Sequence, residues 1–290
     1  MSPNEHKQTR SEQRNAAREK AREIREQHAR KERSKKVWVR GGIAAVAAAA
    51  IIVVVVTLVS GINAQNNKTT GSPANLTFDS GIKIGAGLKA FTADQTPTAD
   101  SSVTPVAGKT APNIKIYLDF QCPICNLFED GNSEQLRSWV ETGAATVEYH
   151  PVSFLDGRGS PNTYSSRAAN AAICVANYSP NNFFDYVDVL FTNQPAEGTP
   201  GPENPELISR VKEVGAANQD KIAQCINDKA YATWVSDTTT AALTKKLPGT
   251  DINMQGTPTI LVNGQQYPFA SQEELVNPAR FAAWVQQVSK

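Results

Sequence analysis

The chain has 290 residues, of which 40% are hydrophobic and 20% are charged, as is usual for a globular protein. Its net charge of +1 hides an asymmetry: residues 1–40 carry 13 Lys or Arg and 6 Asp or Glu, whereas residues 41–290 carry 16 basic and 22 acidic residues. The larger part is therefore mildly acidic. It lacks the basic stripe that tracks a phosphate backbone, so we expect no nucleic-acid partner.

The charge-dense residues 1–40 are predicted to form a cytoplasmic tail. An apolar run follows from Ile43 to Val59, in which Thr57 is the one polar residue and no residue is charged. With its flanks, this run is long enough to cross a bilayer core of about 30 Å. Because the basic excess lies on its N-terminal side, the positive-inside rule places residues 63–290 outside the cytoplasm. We therefore expect a single-pass protein of the cell membrane, anchored through residues 41–62.

A cleaved signal peptide is the alternative to this anchor. Ile62-Asn63-Ala64 is an acceptable cleavage site. However, the basic region before the apolar run is long for a signal peptide, and so is the apolar run itself. An uncleaved anchor is therefore favoured.

Residues 63–112 are rich in Asn, Thr, Gly, Ser, Ala and Pro, which is typical of a linker. We expect most of this segment to be an extracytoplasmic tether between the membrane and a folded domain. The alternative is that residues 76–91 dock onto that domain as an extra hairpin.

Residues 113–290 are predicted to form one α/β domain. Ile114–Phe120 has the pattern of a buried strand, Asn126–Thr142 that of a helix ended by Gly143, and Thr146–His150 that of a second strand. A strand, a crossover helix and a strand in so short a segment indicate a βαβ unit with a parallel pair of strands. Pro151 is expected to end the pairing of the second strand.

A helical insertion at about 160–250 is predicted next. Its expected helices are Tyr164–Tyr178, Phe183–Phe191, Glu206–Val214, Asp220–Ile226 and Tyr231–Leu243.

The chain then returns to the sheet. Thr259–Val262 and Gln266–Phe269 are predicted to pair as a hairpin through the Asn263-Gly264 turn. A closing helix is expected over Ser271–Val288, with Ser271 as its N-cap.

The residues that point to chemistry are Cys122-Pro123-Ile124-Cys125, between the first strand and its helix. The helix start favours a thiolate at Cys122, and Pro123 suits the first helical position because it has no N–H to lose there. Cys122 would then exchange disulfides with a substrate, and Cys125 would resolve the mixed disulfide. The alternatives are an inert buried disulfide and a zinc site, but zinc needs further ligands at short spacing and none are present, so we expect no metal.

Two further patterns complete the candidate site. Thr257-Pro258 precedes the strand Thr259–Val262. Pro258 either simply begins that strand or forms a cis bond that turns the Thr257 backbone toward the cysteines to pair with an extended substrate. Cys174 and Cys225 are the remaining cysteines, and an even number in an exported domain favours a second, structural disulfide between them.

Taken together, the C-P-I-C motif, the helical insertion and Thr257-Pro258 resemble the DsbA-like branch of the thioredoxin superfamily, in its membrane-anchored actinobacterial form. The resemblance covers residues 113–290. It implies a thioredoxin fold with a helical insertion, Cys122 as the nucleophile, Cys125 as the resolving cysteine and Pro258 as a cis-proline. It also implies an enzyme without a further cofactor, which oxidises cysteine-containing exported polypeptides and is re-oxidised by a membrane partner such as a quinone-linked protein.

Two positions depart from the pattern of strongly oxidising members. Ile124 stands where those members often have His, so we expect a higher thiol pKa at Cys122 and a less oxidising disulfide. Ile116 stands where a buried acid is often found, which leaves Asp119 and Glu148 as candidate proton acceptors. A reductase or isomerase, and a non-catalytic module that binds peptides, therefore remain as alternatives to an oxidase.

Overall fold

The computed structural model describes residues 72–92 and 111–290. Strands and helices are numbered here in chain order. The strands of this part of the chain are β1 (Ile82–Gly85), β2 (Lys89–Ala90), β3 (Asn113–Leu118), β4 (Thr146–Pro151), β5 (Thr259–Val262) and β6 (Gln265–Gln266). Its α-helices are α1 (Pro123–Thr142), α2 (Tyr164–Tyr178), α3 (Phe183–Thr192), α4 (Asn204–Glu213), α5 (Gln219–Asn227), α6 (Ala232–Thr244), α7 (Gln272–Leu275) and α8 (Pro278–Val288).

The strands form one sheet in the order β2-β1-β4-β3-β5-β6. The central pair is β3 and β4, which run parallel with Ile114 beside Val147 and Ile116 beside Tyr149. All four side chains are fully buried, which explains why the sequence pattern of both segments is that of buried strands. The predicted βαβ unit is therefore confirmed. Pro151 remains in register as the last residue of β4, one residue further than expected.

The N-terminal segment extends this sheet. Strand β1 pairs antiparallel with β4, so that Ile82 lies beside Tyr149 and Ile84 beside Val147. Both isoleucines are fully buried. Strand β1 also pairs with the edge of β4 that would otherwise be left without a partner strand. The interpretation of residues 63–112 as a linker is therefore corrected for residues 82–90, and the alternative of a docked hairpin holds there.

Several N-terminal predictions lie outside the described residues. They are the tail (1–40), the membrane anchor (41–62) and the remaining linker segments (63–71 and 93–110). Within residues 72–92 and 111–290, no helix combines the length and apolar character needed to cross a membrane.

Five helices, α2 to α6, lie between β4 and β5 and form the predicted insertion. Phe183 and Phe184 at the start of α3 pack on Tyr149 of β4, each with ring centroids 5.9 Å apart. A disulfide joins Cys174 in α2 to Cys225 in α5, with the Cα atoms 5.9 Å apart. The disulfide thus links two helices of the insertion, and aromatic side chains pack the insertion against the sheet.

The C-terminal hairpin follows the expected turn. Asn263 and Gly264 have φ angles of 51° and 80°, and Leu261 lies beside Gln266 in the antiparallel pair. Strand β6 covers Gln265–Gln266 only, so the prediction of a strand over Gln266–Phe269 is wrong in its extent.

The prediction of one closing helix over Ser271–Val288 is also wrong, because the segment forms two helices, α7 and α8. Ser271 caps α7 as expected, since its Oγ accepts from the Glu274 N–H at 3.2 Å. Pro278 cannot donate a hydrogen bond inside a helix and instead starts a new one. Asn277 caps that second helix by accepting from the Arg280 N–H at 3.0 Å.

Candidate active site

The two cysteines of the motif lie at the start of α1. Cys122 is the N-cap residue, with extended backbone angles, and Pro123 is the first helical residue. Both thiols are free and buried: Cys122 is 6% exposed and Cys125 1% exposed. The strand β3 delivers this pair to the helix N-terminus, where backbone N–H groups have no helical acceptors. Ile124 between them is half-buried and packs against the core.

The two thiols have opposite electrostatic environments. A hydrogen bond from the Cys125 thiol is the main cause that lowers the pKa of Cys122 to about 6, against the effect of burial. Contact with Thr257 and the backbone N–H groups of Cys125 and Ile124 lowers it further. Burial, followed by the interaction with Cys122, raises the pKa of Cys125 well above its usual value. At neutral pH, Cys122 is therefore the thiolate and Cys125 the thiol.

The Thr257-Pro258 segment lies directly against Cys122. The Thr257-Pro258 peptide bond is cis, and the Cys122 sulfur lies 3.3 Å from the Thr257 carbonyl oxygen, to which it donates a hydrogen bond when it is protonated. Pro258 is buried and leads directly into β5. The structure thus brings together Cys122, Cys125, Thr257 and Pro258, which are the residues proposed from the sequence. A substrate that contacts the Thr257 backbone would lie next to the Cys122 sulfur.

Asp119 is the carboxylic acid beside the resolving cysteine. It is completely buried, and its carboxylate accepts from the Gln121 N–H at 2.8 Å, the Leu155 N–H at 2.9 Å and the Ser165 hydroxyl at 2.6 Å. Burial raises the pKa of Asp119 to about 7 in spite of these three donors. The backbone N–H of Asp119 interacts with the Cys125 sulfur, and its carboxylate charge raises the pKa of Cys125. A buried carboxyl with a pKa of about 7 therefore lies close enough to Cys125 to raise the pKa of that thiol.

Glu148, the other candidate proton acceptor, has a different environment. Burial alone would raise its pKa, but His150, whose Nε2 lies 3.2 Å from the carboxylate, holds the pKa well below the usual range. The carboxylate also accepts from the Thr77 hydroxyl at 2.6 Å and from the Asn113 side-chain amide at 3.1 Å. Because it stays ionised and ties the N-terminal segment to the sheet, Glu148 has a structural role.

Sequence reasoning missed two glutamines that surround the motif. The Gln194 side-chain amide donates to the carbonyl oxygens of Phe120, at 3.2 Å, and Cys122, at 2.9 Å. The Gln121 amide donates in the other direction, to the carbonyl oxygens of Ala196 and Thr199. Gln121 could have been noticed in the sequence, because it is a polar residue between a buried strand and Cys122. Gln194 had none, because its contact with the motif spans 72 residues.

A third missed residue is Glu129, which is 3% exposed on α1. Burial raises the pKa of its carboxyl to about 8, and the nearby charge of Asp188 adds to this increase. The spacing to Cys125 could have revealed it, because residues four apart lie on the same face of a helix.

Within residues 72–92 and 111–290, no group of three His, Cys, Asp or Glu side chains could hold a metal ion.

Comparison with known proteins agrees with this geometry. A thioredoxin family model, Thioredoxin_4, matches residues 101–287. The chain belongs to the thioredoxin family. No curated protein sequence matches it.

Solved structures with this fold include disulfide oxidoreductases. The reduced form of the disulfide bond oxidoreductase DsbG from Mycobacterium tuberculosis has a TM-score of 0.55 and 29% identity, over 72% of this chain and 86% of that one. Reduced DsbA from the same organism has a TM-score of 0.54 and 28% identity, over 72% and 91% of the two chains. The thiol–disulfide oxidoreductase MdbA from Actinomyces oris shares the fold at 19% identity, with a TM-score of 0.52 and coverage of 76% and 93%.

Proposed function

We propose that this chain is an extracytoplasmic thiol–disulfide oxidoreductase that forms disulfides in exported proteins through a Cys122–Cys125 redox pair. The observation that carries the proposal is the position of Cys122. Its thiol has a pKa of about 6 and contacts the Thr257 carbonyl oxygen, next to a cis-proline. The similarity to DsbA and DsbG of Mycobacterium tuberculosis supports the same chemistry.

In the oxidising direction, a substrate thiolate attacks the Cys122 sulfur of the Cys122–Cys125 disulfide. The enzyme disulfide breaks, Cys125 leaves with the electron pair and takes up a proton, and a mixed disulfide forms on Cys122. A second substrate thiolate then attacks the substrate sulfur of that mixed disulfide, and Cys122 leaves as a thiolate. The substrate gains one disulfide and the enzyme gains two electrons. The low pKa of Cys122 favours this direction, because it makes Cys122 a good leaving group.

Asp119 is proposed to exchange the proton of Cys125. When the reaction runs toward oxidation, Cys125 leaves into a completely buried position and needs a proton there. The Asp119 carboxyl, with a pKa of about 7, supplies it. In reverse, the ionised carboxylate accepts the proton as Cys125 attacks the mixed disulfide. Its three hydrogen-bond donors hold the carboxyl in place for both steps.

A reductase or isomerase is the second candidate, and Ile124 is the observation that favours it. An apolar side chain at this position cannot donate a hydrogen bond to the Cys122 sulfur or place positive charge beside it. The Cys122 pKa of about 6 lies between the values of about 3.5 for a strong oxidant and about 7 for thioredoxin. The reduction potential therefore separates an oxidase from a reductase.

The location outside the cytoplasm forms part of the proposal. It is supported by the uncharged run from Ile43 to Val59 and the basic excess before it. Residues 41–62 would anchor the chain in the cell membrane, and a membrane partner, such as a quinone-linked protein, would re-oxidise the cysteine pair. Protease added to intact cells should then cleave the domain while leaving the first 40 residues protected. Protection of both parts would contradict this topology.

The activity can be tested with a reduced peptide that carries two cysteines. Oxidised wild-type protein should form the peptide disulfide, and Cys122→Ser should abolish this reaction. When the same peptide is offered in its disulfide form, reduced Cys125→Ala should accumulate a mixed disulfide, because Cys122 attacks the peptide disulfide and the thiol that would resolve the intermediate is missing. If Cys122→Ser retains the full cellular function, the chain is instead a non-catalytic module that binds peptides.

A further inference from the structure

A short turn of the helical insertion is fastened beside the redox motif. Residues 196–199 form this turn, in which the Thr199 N–H and hydroxyl both donate to the Ala196 carbonyl oxygen, at 3.2 Å and 2.7 Å. Gly198 has a φ angle of +77°, a conformation that glycine adopts without strain. The turn is therefore a defined structure and not an open loop.

Gln121 connects this turn to the residue next to the reactive cysteine. Its amide nitrogen donates to the carbonyl oxygens of Ala196, at 3.2 Å, and Thr199, at 2.9 Å, which are the two ends of the turn. Gln121 is fully buried, so its amide would lose hydrogen-bond partners if the turn moved away, which is costly for a buried polar group. Gln194, just before the turn, donates back to the carbonyl oxygen of Cys122.

The chain beyond the turn is also fixed. The guanidinium of Arg167, which is 7% exposed, donates to the carbonyl oxygens of Pro200 and Pro202. Both ends of the turn are therefore held by side chains from other elements, and its tip cannot move far from the motif.

Glu197 is the ionisable residue of this turn. It is exposed, and among the residues described it makes no ion pair. We propose that Glu197 is a specificity-determining residue, which favours substrates that carry Lys or Arg close to the reacting cysteine. A peptide held by the Thr257 backbone with its cysteine on Cys122 would extend past the motif, and the turn is held beside the motif by the hydrogen bonds of Gln121 and Gln194. This inference rests on the proposed thiol–disulfide exchange.

The test compares two reduced peptides of equal length that differ only at the residues flanking one cysteine, which are Lys in one and Glu in the other. At low ionic strength, the wild-type protein should oxidise the Lys peptide about two- to fivefold faster, as judged by kcat/KM, the range that exposed ion pairs provide. Glu197→Gln should bring this ratio close to one, and Glu197→Lys should invert it. Added salt should reduce the wild-type preference.

Two further variants separate the turn from a general charge effect. Glu213→Gln removes another exposed acid of the insertion, at the end of α4, and should leave the ratio unchanged. Gln121→Ala releases the turn while retaining Glu197, and should also bring the ratio close to one.

A ratio that stays at its wild-type value in Glu197→Gln and Glu197→Lys would overturn the inference. Equal oxidation of both peptides by the wild type would overturn it too, while leaving thiol–disulfide exchange intact. If neither peptide is oxidised, it is the proposed function that fails.

Discussion

The Cys122 sulfur lies 3.3 Å from the carbonyl oxygen of Thr257, 135 residues away in sequence, and donates a hydrogen bond to it when protonated. This contact joins the start of helix α1 to the cis-proline segment before β5, so the reactive sulfur and a backbone able to pair with a substrate share one surface. At this surface a hydrogen bond from the Cys125 thiol is the main cause that lowers the pKa of Cys122 to about 6.

The first prediction concerns the ionisation of Cys122. Alkylation of the reduced protein by iodoacetamide should accelerate as pH rises through about 6, because the thiolate is the reactive form. Mass spectrometry should find the label on Cys122, since Cys125 is buried and its pKa is raised. A midpoint near 9, or equal labelling of the two cysteines, would contradict this assignment.

The second prediction concerns Asp119. Reduction of a peptide disulfide by the reduced protein should show an inflection near pH 7, because Cys125 attacks fastest when Asp119 is ionised. Asp119→Asn should remove this inflection and slow the reaction about tenfold or more above pH 7, since a positioned proton acceptor is lost. Asp130→Asn, at an exposed site on α1, is the matched control and should keep the wild-type profile. An unchanged inflection in Asp119→Asn would assign the proton transfer to another group.

The third prediction concerns Glu129 and stability. Burial raises the pKa of this carboxyl to about 8 from an ordinary value of 4.5, so between these pH values the folded state retains a proton that the unfolded state releases. The free energy of unfolding should therefore fall as pH rises from about 5 to 8, by at most about 1.4 kcal/mol per pH unit. Glu129→Gln should flatten this dependence in urea unfolding experiments. Glu134→Gln, at an exposed site on the same helix, should not; an equal effect of both variants would rule out Glu129 as the source.

The fourth prediction concerns the disulfide between Cys174 and Cys225. The two residues are 51 apart in sequence, and closing a loop of that length is worth about 4 kcal/mol in the chain-entropy model. Replacing both cysteines with Ala should therefore lower the free energy of unfolding by about 4 kcal/mol and leave the titration of Cys122 unchanged. A shifted titration would mean that the disulfide also shapes the redox site.

Much of the redox site could be predicted because its signals are local. A buried strand, a C-P-x-C motif and a helix follow one another in adjacent residues, and Thr257-Pro258 immediately precedes an apolar strand. The parallel pairing of β3 and β4 followed from the short crossover between them. Local patterns of this kind depend little on distant parts of the chain.

The remainder depends on contacts between distant residues. Strand β1 has only two buried apolar positions, Ile82 and Ile84, in a segment of linker-like composition, and it is stabilised by its partner β4. The sequence left Asp119 open between a surface acid and a proton acceptor. The structure excludes a surface position, because the carboxylate is buried and accepts from the Leu155 N–H and the Ser165 hydroxyl. The link from Gln194 to Cys122 likewise has no sequence signal of its own.

The direction of electron flow depends on the reduction potential of the Cys122–Cys125 pair. With a pKa of about 6, ionisation of Cys122 stabilises the reduced form at pH 7 by about 1.4 kcal/mol, which corresponds to about 30 mV. Equilibration with glutathione redox buffers, read out by alkylation of the free thiols, would measure this potential directly. An oxidase should give a value above that of thioredoxin, about −270 mV, and below that of a strong oxidant such as DsbA, about −120 mV. A value at or below about −270 mV would contradict the oxidase and identify the pair as a reductant.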